Sequence, residues 1–214
     1  MSLQLQTDQL VRGAVGPVDL KLHLGCGSNI LAGWLNTDST PSPTSDYLDC
    51  TARLPFVDGC LAAVFCEHLI EHMEKPSALS MVREIFRVLR PGGMFRVVTP
   101  SLEAFAHMVL DPEGAASRLY LDFYRRFSGN TRAEISDAVN SIFYLHGHRH
   151  VYREAELVAM LAEAGFAELR PLAAGGYGDP VFDGVDGHGN VIGGEVNAVE
   201  AFAVEGRKPA QSAS

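Results

Sequence analysis

The sequence predicts an α/β fold of three layers, with helices on both faces of a mainly parallel, seven-stranded sheet whose last strand is antiparallel. Short apolar runs typical of buried strands alternate along the chain with helical patterns, as in a parallel sheet. Several of these runs end directly in a glycine or a polar residue, and ligands bind at that carboxyl edge of such sheets. The last two strand patterns have no helical pattern between them, which favours an antiparallel final strand.

Local patterns define the individual elements, and together they fit one domain over residues 1–214. The clearest helices are Ser77–Leu89, which "RPGG" ends, and "REAELVAMLAEAGF", which Gly165 ends. A mostly helical insertion covers about 101–145, and a Gly-rich loop covers about 174–194. The strand patterns are, in order, 19–24, 34–37, "DYLDC", "CLAAVFC", "MFRVVTP", "AELRPL" and "AVEAFAVEG".

The composition excludes several classes of protein. A net charge of −9 disfavours a nucleic-acid partner, because contacts with phosphates need a basic surface. No apolar run is long enough to span a membrane, and "MSLQLQTDQL" lacks the features of a signal peptide. The four cysteines form no Cys-x-x-Cys pair, so we expect reduced thiols in a cytoplasmic protein.

One basic segment departs from the acidic average. The stretch "SRLYLDFYRRFSGNTR" gathers Arg118, Arg125, Arg126 and Arg132. These arginines form either a solvated helix face, as most charge runs do, or a dock for an anionic substrate. The sequence leaves both interpretations open, and it also leaves the oligomeric state open.

A glycine turn after the first strand indicates a bound small molecule. In "LHLGCGSN", Gly25 allows a tight turn and Gly27 lets the backbone approach a ligand closely. Ile30 stands where a dinucleotide fingerprint has its third glycine, which argues against pyrophosphate binding. Asp38, at the end of the second strand, suits the two hydroxyls of a ribose, although it is also a common turn residue. Leu54 and the acidic residue of "LDC" would lie beside a flat aromatic ring.

Three stretches together resemble the class I S-adenosylmethionine-dependent methyltransferases, a Rossmann-like family, and most closely the group labelled methyltransferase type 11. The stretches are "LHLGCGSNILAGWLNTD", "LDCTARLPFVDGCLAAVFCEHLIEHM" and "EIFRVLRPGGMFRVVTPS", and the likeness resumes at "HRHVYREAELVAMLAEAGF". The resemblance implies S-adenosyl-L-methionine as cofactor, with S-adenosyl-L-homocysteine as product. The cofactor-binding residues that it implies are Leu24, Gly25, Cys26, Gly27, Asp38, Asp49, Cys50, Leu54, Glu67 and His68.

The sequence departs from this family at one position. Two places before the first glycine of the motif the family usually has an acidic residue, and this chain has His23. The departure leaves open how the amino group of the methionine part is held.

The octapeptide "CEHLIEHM" contains His68-x-x-Glu71-His72, the order found in inverted zinc metallopeptidases. A zinc site of that kind needs a helix long enough to hold both histidines one turn apart. Here the residues before His68 are predicted to form a strand, and Pro76 follows His72 closely, so the helix has about one turn. We therefore expect no metal, and we expect this stretch to close the cofactor pocket.

The implied reaction is transfer of a methyl group to a small molecule, at oxygen or nitrogen, by direct displacement. Such an acceptor needs a base, for which histidine has a suitable pKa. The candidates are His68, at the cofactor edge, and then His146 and His148 from "LHGHRHV", whose alternating histidines would share one face of an extended segment. In the Gly-rich loop, Tyr177 or Phe182 would provide a lid over the methyl group.

Two other functions stay open on the sequence. The chain could bind S-adenosylmethionine without catalysing a reaction, which His23 mildly supports. It could also be a nicotinamide-dependent oxidoreductase on a related sheet, which Ile30 argues against.

Overall fold

The computed structural model describes residues 19–210, which form one seven-stranded sheet with helices around it. The order of the strands across the sheet is β3-β2-β1-β4-β5-β7-β6. The strands are β1 Lys21–Leu24, β2 Leu35–Asp38, β3 Asp46–Tyr47, β4 Leu61–Glu67, β5 Leu89–Pro100, β6 Ala167–Ala173 and β7 Ala201–Arg207. The helices are α1 Lys75–Val88, α2 Leu102–Leu110, α3 Ala115–Ser128, α4 Ile135–Tyr144, α5 Glu154–Glu163, α6 Gly189–Ile192 and α7 Gly194–Glu200.

The strand directions confirm the predicted fold class. Strands β1 to β5 pair in parallel, and β7 pairs antiparallel with both β5 and β6. The expectation that no helix separates the last two strands was wrong, because α6 and α7 lie between them. None of the described helices combines the length and the apolar character needed to cross a membrane. That the chain forms a single domain stays a prediction.

Helices cover one face of the sheet. Strand β5 alternates its side chains between the two faces, so Phe95 and Val97 point to the first face and pack in a cluster with α1 and α5. Within α1, Val82 and Ile85 are fully buried in that cluster. The predicted α1 and α5 are thus confirmed, and they form the outer layer on this side.

A segment of little regular structure covers part of the other face. The ten residues 25–34 connect the parallel strands β1 and β2 without a helix, although such crossovers usually contain one. Phe182 and Val185, from the Gly-rich segment that follows β6, pack instead against Trp34 and Phe65. Phe182 is only 1% exposed, so it is a core residue of this face. The expectation that Phe182 acts as a lid was therefore wrong.

A buried ion cluster fastens this segment to the sheet. Arg96 of β5 points to the second face, where its guanidinium donates to the carboxylates of Asp186, at 2.8 Å from Nε, and Glu205, at 2.9 Å from Nη1. It also donates to the carbonyl oxygen of Gly176 at 2.7 Å. The Arg96 side chain is 1% exposed and both carboxylates are below 10%. A buried arginine is tolerated here because its guanidinium is paired with two carboxylates and also donates to a carbonyl oxygen.

The helical insertion forms a third cluster beyond the end of β5. Helices α2, α3, α4 and α7 bury an apolar group around Phe105 and Tyr120. Ser101 begins α2 as its N-cap and forms a bridge with Tyr152, which leads into α5. The insertion therefore stands at the carboxyl edge of the parallel strands, and its predicted helical character is confirmed.

Arg96→Leu tests how much the ion cluster stabilises the fold. The substitution leaves two carboxylates buried without their cation, so we expect the free energy of unfolding to fall by about 3–5 kcal/mol. Urea unfolding followed by circular dichroism measures the change.

Arg83→Leu is the matched control for that experiment. Arg83 pairs with Glu163 at 2.8 Å, but both side chains are more than half exposed, so its loss should cost less than about 1 kcal/mol. Equal losses in the two variants would mean that the segment after β6 is held by its apolar contacts alone.

Candidate functional site

The site lies at the carboxyl edge of the parallel strands, and the topology explains which residues meet there. His68 follows β4 directly. Because β7 runs antiparallel to β5, with Pro100 opposite Ala201, the residue that precedes β7 lies at the same edge. That residue is Glu200, at the end of α7. His188, which is the N-cap residue of α6, lies beside both of them.

A tight glycine turn after β1 forms one wall of the site. Gly25 and Gly27 have φ values of 64° and 50°, which glycine adopts without strain. A Cβ atom on Gly25 would also lie 2.8 Å from Cδ1 of Leu69, so any side chain there would have to displace Leu69. The Gly27 N–H donates to Oδ2 of Asp38 at 3.0 Å, which fixes the turn to the end of β2.

The turn opens on a cavity of about 330 Å³. Residues from the glycine turn, the end of β4 and the start of α6 line it: Gly25, Cys26, Gly27, Ser28, Asn29, Glu67, His68, Gly187, His188, Asn190 and Val191. Five of the residues expected to bind the cofactor are in this lining.

Glu67 is the carboxylate of this cavity. Its Oε2 accepts from the N–H groups of Gly187, at 2.8 Å, and His188, at 3.1 Å. Its Oε1 is buried and has no hydrogen-bond partner among the described residues. Burial raises the pKa of this carboxyl group, and the two N–H donors offset only part of that effect. An unpartnered carboxylate oxygen in a cavity is suited to a cationic group of a ligand.

The other residues expected at the cofactor do not line this cavity: Leu24, Asp38, Asp49, Cys50 and Leu54. Asp38 Oδ1 accepts from the Thr40 N–H at 2.9 Å, in addition to the bond from the glycine turn to Oδ2. Asp49 is exposed, and burial raises the pKa of the Cys50 thiol to about 11. The Leu54 side chain is in the core below α1. Their roles at a cofactor stay predictions.

His23 is part of the sheet and not of the cavity. It is buried, its ring lies 4.8 Å from that of Phe65, and its Nδ1 lies 3.3 Å from Oδ1 of Asn36. Burial lowers its pKa to about 4, so the imidazole is neutral. An acidic residue at the position of His23 would be buried beside Phe65. The carboxylate with an unpartnered oxygen is that of Glu67 instead.

A second cavity, of about 370 Å³, adjoins the first and shares His68, His188 and Val191 with it. Its walls are mainly aromatic side chains from α3 and histidine side chains, two of them from the segment after α4. The remaining lining residues are His72, Pro100, Tyr120, Phe123, Tyr124, Phe127, Ser141, Ile142, His146, His148, Ile192 and Glu200. Arg118, Arg125, Arg126 and Arg132 are not among them, so this cavity gives no support to the anion dock.

Two histidine–carboxylate pairs meet where the cavities join. His68 Nδ1 lies 3.2 Å from Oε1 of Glu71, and Oε2 of Glu71 accepts from the Thr99 hydroxyl at 3.0 Å. His188 Nε2 lies 3.2 Å from Oε1 of Glu200. The rings of His68 and His188 are 4.0 Å apart between centroids.

Burial and charge act in opposite directions on the His68–Glu71 pair. Burial disfavours the charged imidazole, but the carboxylates of Glu71, Glu200 and Glu67 outweigh it and raise the pKa of His68. Burial likewise disfavours the Glu71 carboxylate, and His68 outweighs it, so the pKa of Glu71 is lowered. The pair is therefore an ion pair or a shared-proton pair.

The histidines that follow α4 divide between two environments. His146 and His148 line the second cavity, with ring centroids 5.5 Å apart. His150 lies away from it and pairs with Glu156 at 3.0 Å, so the expectation that all three share one face was wrong. Gly147, with φ of 71°, breaks the extended segment that this expectation assumed.

His148 differs from His68 in its proton affinity. Burial lowers the pKa of His148 and outweighs the nearby carboxylate of Glu71, while His72 and His146 lower it further. Its Nδ1 is buried and has no hydrogen-bond partner in the described part of the chain. His148 is therefore neutral at pH 7 and able to accept a proton.

The octapeptide does not have the geometry of a peptidase zinc site. Residues Ile70–His72 form a single 3-10 turn, as the sequence predicted, and the turn is too short to present both histidines on one face. His68 groups with His188 and Glu200, whereas His72 groups with Glu71 and His148. His68 and His72 therefore belong to separate groups of potential ligands.

Sequence reasoning missed His188, Glu200 and the carboxylate role of Glu71. His188 is a single histidine in a Gly-rich segment without periodicity, which gave no signal. Glu200 was placed inside the last strand pattern, whereas the strand begins one residue later. A predicted strand that began at Ala201 would have placed Glu200 directly before it, at the edge of the sheet.

A family model described as Methyltransferase domain matches residues 35–97, which run from β2 into β5. The match includes Asp38, Glu67 and His68 and begins after the glycine turn. No curated protein matches the chain as a relative.

Solved structures similar to the chain include three with TM-scores just above 0.5. One is a SAM-dependent methyltransferase from Thermotoga maritima, described as a possible histamine N-methyltransferase (16% identity, 95% of this chain and 88% of that one, TM-score 0.51). Another is a SAM dependent methyltransferase from Archaeoglobus fulgidus (14% identity, 97% and 95%, TM-score 0.52). The third is a possible exported protein from Bordetella parapertussis (16% identity, 97% and 68%, TM-score 0.52).

At these identities the structures establish the fold alone, and the family model matches the part of the chain from β2 into β5. The strand order, with β7 antiparallel between β5 and β6, is that of the class I methyltransferases. The chain therefore has the Rossmann-like fold of the class I S-adenosylmethionine-dependent methyltransferases, and residues 35–97 within it match the methyltransferase-domain model.

Proposed function

We propose that the protein transfers a methyl group from S-adenosyl-L-methionine to a small molecule bound in the second cavity. The observation that supports this most is the junction of the two cavities at His68 and His188. A cofactor in the glycine-turn cavity would direct its sulfonium end towards the aromatic cavity. Donor and acceptor would then meet in a confined space, and alignment is the main contribution to such a reaction.

The first cavity fits the methionine end of the cofactor. Gly25 and Gly27 bring backbone close to the ligand, and the free Oε1 of Glu67 is available for the methionine ammonium group. Glu67 would thereby replace the acidic residue that the family usually has at the position of His23. Asp38 retains lone pairs for the ribose hydroxyls, since each carboxylate oxygen accepts more than one bond.

The same turn argues against a nicotinamide dinucleotide. Pyrophosphates bind at the N-terminus of the helix that follows such a glycine turn, where free N–H groups and the helix dipole favour negative charge. Residues 25–34, all of them described, contain no helix. S-adenosylmethionine has no phosphate and therefore does not need a helix N-terminus at this turn.

The second cavity suits a small, largely apolar acceptor with an aromatic ring. Tyr120, Phe123, Tyr124 and Phe127 offer ring faces and edges along α3. An acceptor with a single hydroxyl or amine could place that group at the junction, beside the histidines. The Thermotoga structure is described as a possible histamine N-methyltransferase, which is consistent with an acceptor of this size.

Methyl transfer would be a direct displacement. The acceptor oxygen or nitrogen attacks the methyl carbon, the bond from that carbon to sulfur breaks, and S-adenosyl-L-homocysteine leaves. The acceptor proton passes to a base. Of the three candidate histidines we favour His148, because it is neutral at pH 7 and its Nδ1 is unpartnered. His146 lies beside it, and His68 is held by Glu71.

Asp38→Ala tests the ribose assignment. The variant loses the acceptor for the two ribose hydroxyls, so the affinity should fall by about 1–3 kcal/mol, roughly 5–150-fold. Isothermal titration should show this for S-adenosylmethionine, S-adenosylhomocysteine and methylthioadenosine alike, since all three contain the ribose. Asp122→Ala, at an exposed position of α3, is the control and should bind as wild type does. Unchanged affinity in Asp38→Ala would remove Asp38 from the site.

Glu67→Gln tests the methionine end separately. Glutamine keeps the shape and one acceptor oxygen for the Gly187 and His188 N–H groups, but it removes the negative charge. Affinity for S-adenosylmethionine and S-adenosylhomocysteine should fall by about 1.5–3 kcal/mol. Affinity for methylthioadenosine, which lacks the ammonium group, should stay the same. An equal loss for all three ligands would mean that Glu67 only supports the loop that covers it.

His148→Asn tests the base. A panel of small phenols, catechols and aromatic amines, assayed by release of S-adenosylhomocysteine, first identifies an acceptor. With that acceptor, kcat should fall by about 10²–10⁴-fold while cofactor affinity stays unchanged. His107→Asn, at an exposed position of α2, is the control.

The pH profile of the wild-type enzyme gives a second readout for His148. The base acts when neutral, so kcat should rise with pH through the pKa of His148. Burial lowers that pKa, so the rise should be centred below about 6.5, the ordinary value for histidine. If no acceptor in the panel is methylated although S-adenosylmethionine binds, the alternative of a non-catalytic binding module gains support.

A further inference from the structure

Two histidines and one carboxylate converge where the cavities join. One ligand atom from each of His68, His188 and Glu200 lies within 4.8 Å of the others. His188 Nε2 and Glu200 Oε1 are 3.2 Å apart. Ligands that bind a metal at about 2.0–2.2 Å with tetrahedral angles lie about 3.3–3.6 Å from each other. The 3.2 Å between His188 and Glu200 is close to this spacing.

The free nitrogen of His68 is the second observation. Its Nδ1 lies 3.2 Å from the Glu71 carboxylate, which leaves Nε2 for another partner. Nε2 is buried and has no hydrogen-bond partner among residues 19–210. A histidine that binds a metal through one nitrogen commonly donates the other N–H to a carboxylate, which fixes the ring. Glu71 provides that carboxylate, and the Thr99 hydroxyl orients it in turn.

Buried negative charge around the junction is the third observation. Glu67, Glu71 and Glu200 all approach it, and neither cavity has a lysine or arginine in its lining. A ligand set with one carboxylate reduces the charge of a divalent cation from +2 to +1. The other two carboxylates offset that remainder and the positive charge of a nearby sulfonium.

We propose that His68, His188 and Glu200 bind a divalent transition metal of the zinc class, with an open coordination position towards the aromatic cavity. Two imidazoles and a carboxylate favour Zn²⁺, Fe²⁺ or Co²⁺ over Mg²⁺ and Ca²⁺, which prefer oxygen ligands. Three protein ligands leave a position for the acceptor. The role of the metal rests on the proposed function: it would bind the acceptor oxygen or nitrogen and lower its pKa before the proton leaves. The metal site itself does not depend on methyl transfer.

The proposal departs from the sequence-based expectation that no metal is bound. That expectation weighed His68 together with His72, and His72 belongs to the other group, with Glu71 and His148. In that group Oε2 of Glu71 accepts from Thr99, Oε1 lies 3.2 Å from Nδ1 of His68, and His72 is exposed. The group of His68, His188 and Glu200 is distinguished by its position, since His68 and His188 line both cavities and Glu200 lines the second.

Metal binding is tested on the full chain after treatment with a chelator. Titration with Co²⁺, followed by its visible absorption, should show one site per chain, and Zn²⁺ should displace the cobalt. His188→Ala and Glu200→Gln should each lose the absorption. His107→Ala, which replaces an exposed histidine of α2, should titrate as wild type does. Mg²⁺ should not compete.

A supporting residue behaves differently from a ligand. Glu71→Gln should keep the cobalt spectrum but weaken the affinity by about 10–100-fold, because it orients His68 without binding the metal. Thermal unfolding adds a readout that does not need the spectrum. Zinc should raise the Tm of the wild type and not that of His188→Ala, whose own melting transition also shows whether it folds.

Two results would overturn the proposal. In the first, His188→Ala and Glu200→Gln bind cobalt as wild type does while His72→Ala does not, which would place the metal at the other group. In the second, no variant changes binding, so the metal binds only adventitiously. Calorimetry with S-adenosylmethionine on the same chelator-treated protein separates the two proposals. If the cofactor binds and no metal site is found, the proposed function stands and the metal proposal fails. If a metal site is found and the cofactor does not bind, the metal proposal stands and the proposed function fails.

Discussion

The position of the site depends on the buried contact between Arg96 and the segment after β6. Arg96 lies in the middle of β5, and its bonds to Asp186 and Glu205 connect the second face of the sheet with β7 and with that segment. Gly187 and His188 follow Asp186 directly, so their N–H groups reach Glu67 and the His188 ring reaches the junction. A cation buried in the sheet thus determines where residues of the cavity wall lie. Because the side chains of Asp186 and Glu205 are also buried, removing Arg96 would leave two carboxylates without a cation.

The direction of β7 is the second constraint. A parallel last strand would begin at the opposite edge of the sheet, and the residue before it would be far from the ends of β4 and β5. Antiparallel β7 begins beside Pro100 and brings Glu200 to the site. The same antiparallel pairing places Arg96 of β5 directly opposite Glu205 of β7. The direction of β7 therefore accounts both for the ion cluster and for the acidic residue at the junction.

The sequence was sufficient for the elements with a clear period and for the turns that depend on glycine. Apolar residues such as Val82 and Ile85 recur at helical spacing in α1, and Gly25 lies where a φ of 64° favours glycine. The second face could not be predicted, because the segment that covers it has no period and buries Phe182 through a single turn. His188 and Glu200 were missed for a related reason. Their proximity to His68 is created by pairing between distant strands, and no spacing along the chain records it.

Electrostatics connects the two cavities more closely than their shapes do. Among the described residues, the three carboxylates Glu67, Glu71 and Glu200 have only histidines, backbone N–H groups and the Thr99 hydroxyl as partners, and no lysine or arginine. Like charges in a poorly solvated space repel, so a cationic ligand here would relieve an unfavourable interaction. An ammonium group at Glu67, a sulfonium between the cavities and a metal at Glu200 would each do so at a different place. After methyl transfer the sulfonium becomes a neutral thioether, so the junction loses a positive charge and binds the product less strongly. The same carboxylates that would attract the cofactor would therefore favour its release once the methyl group has left.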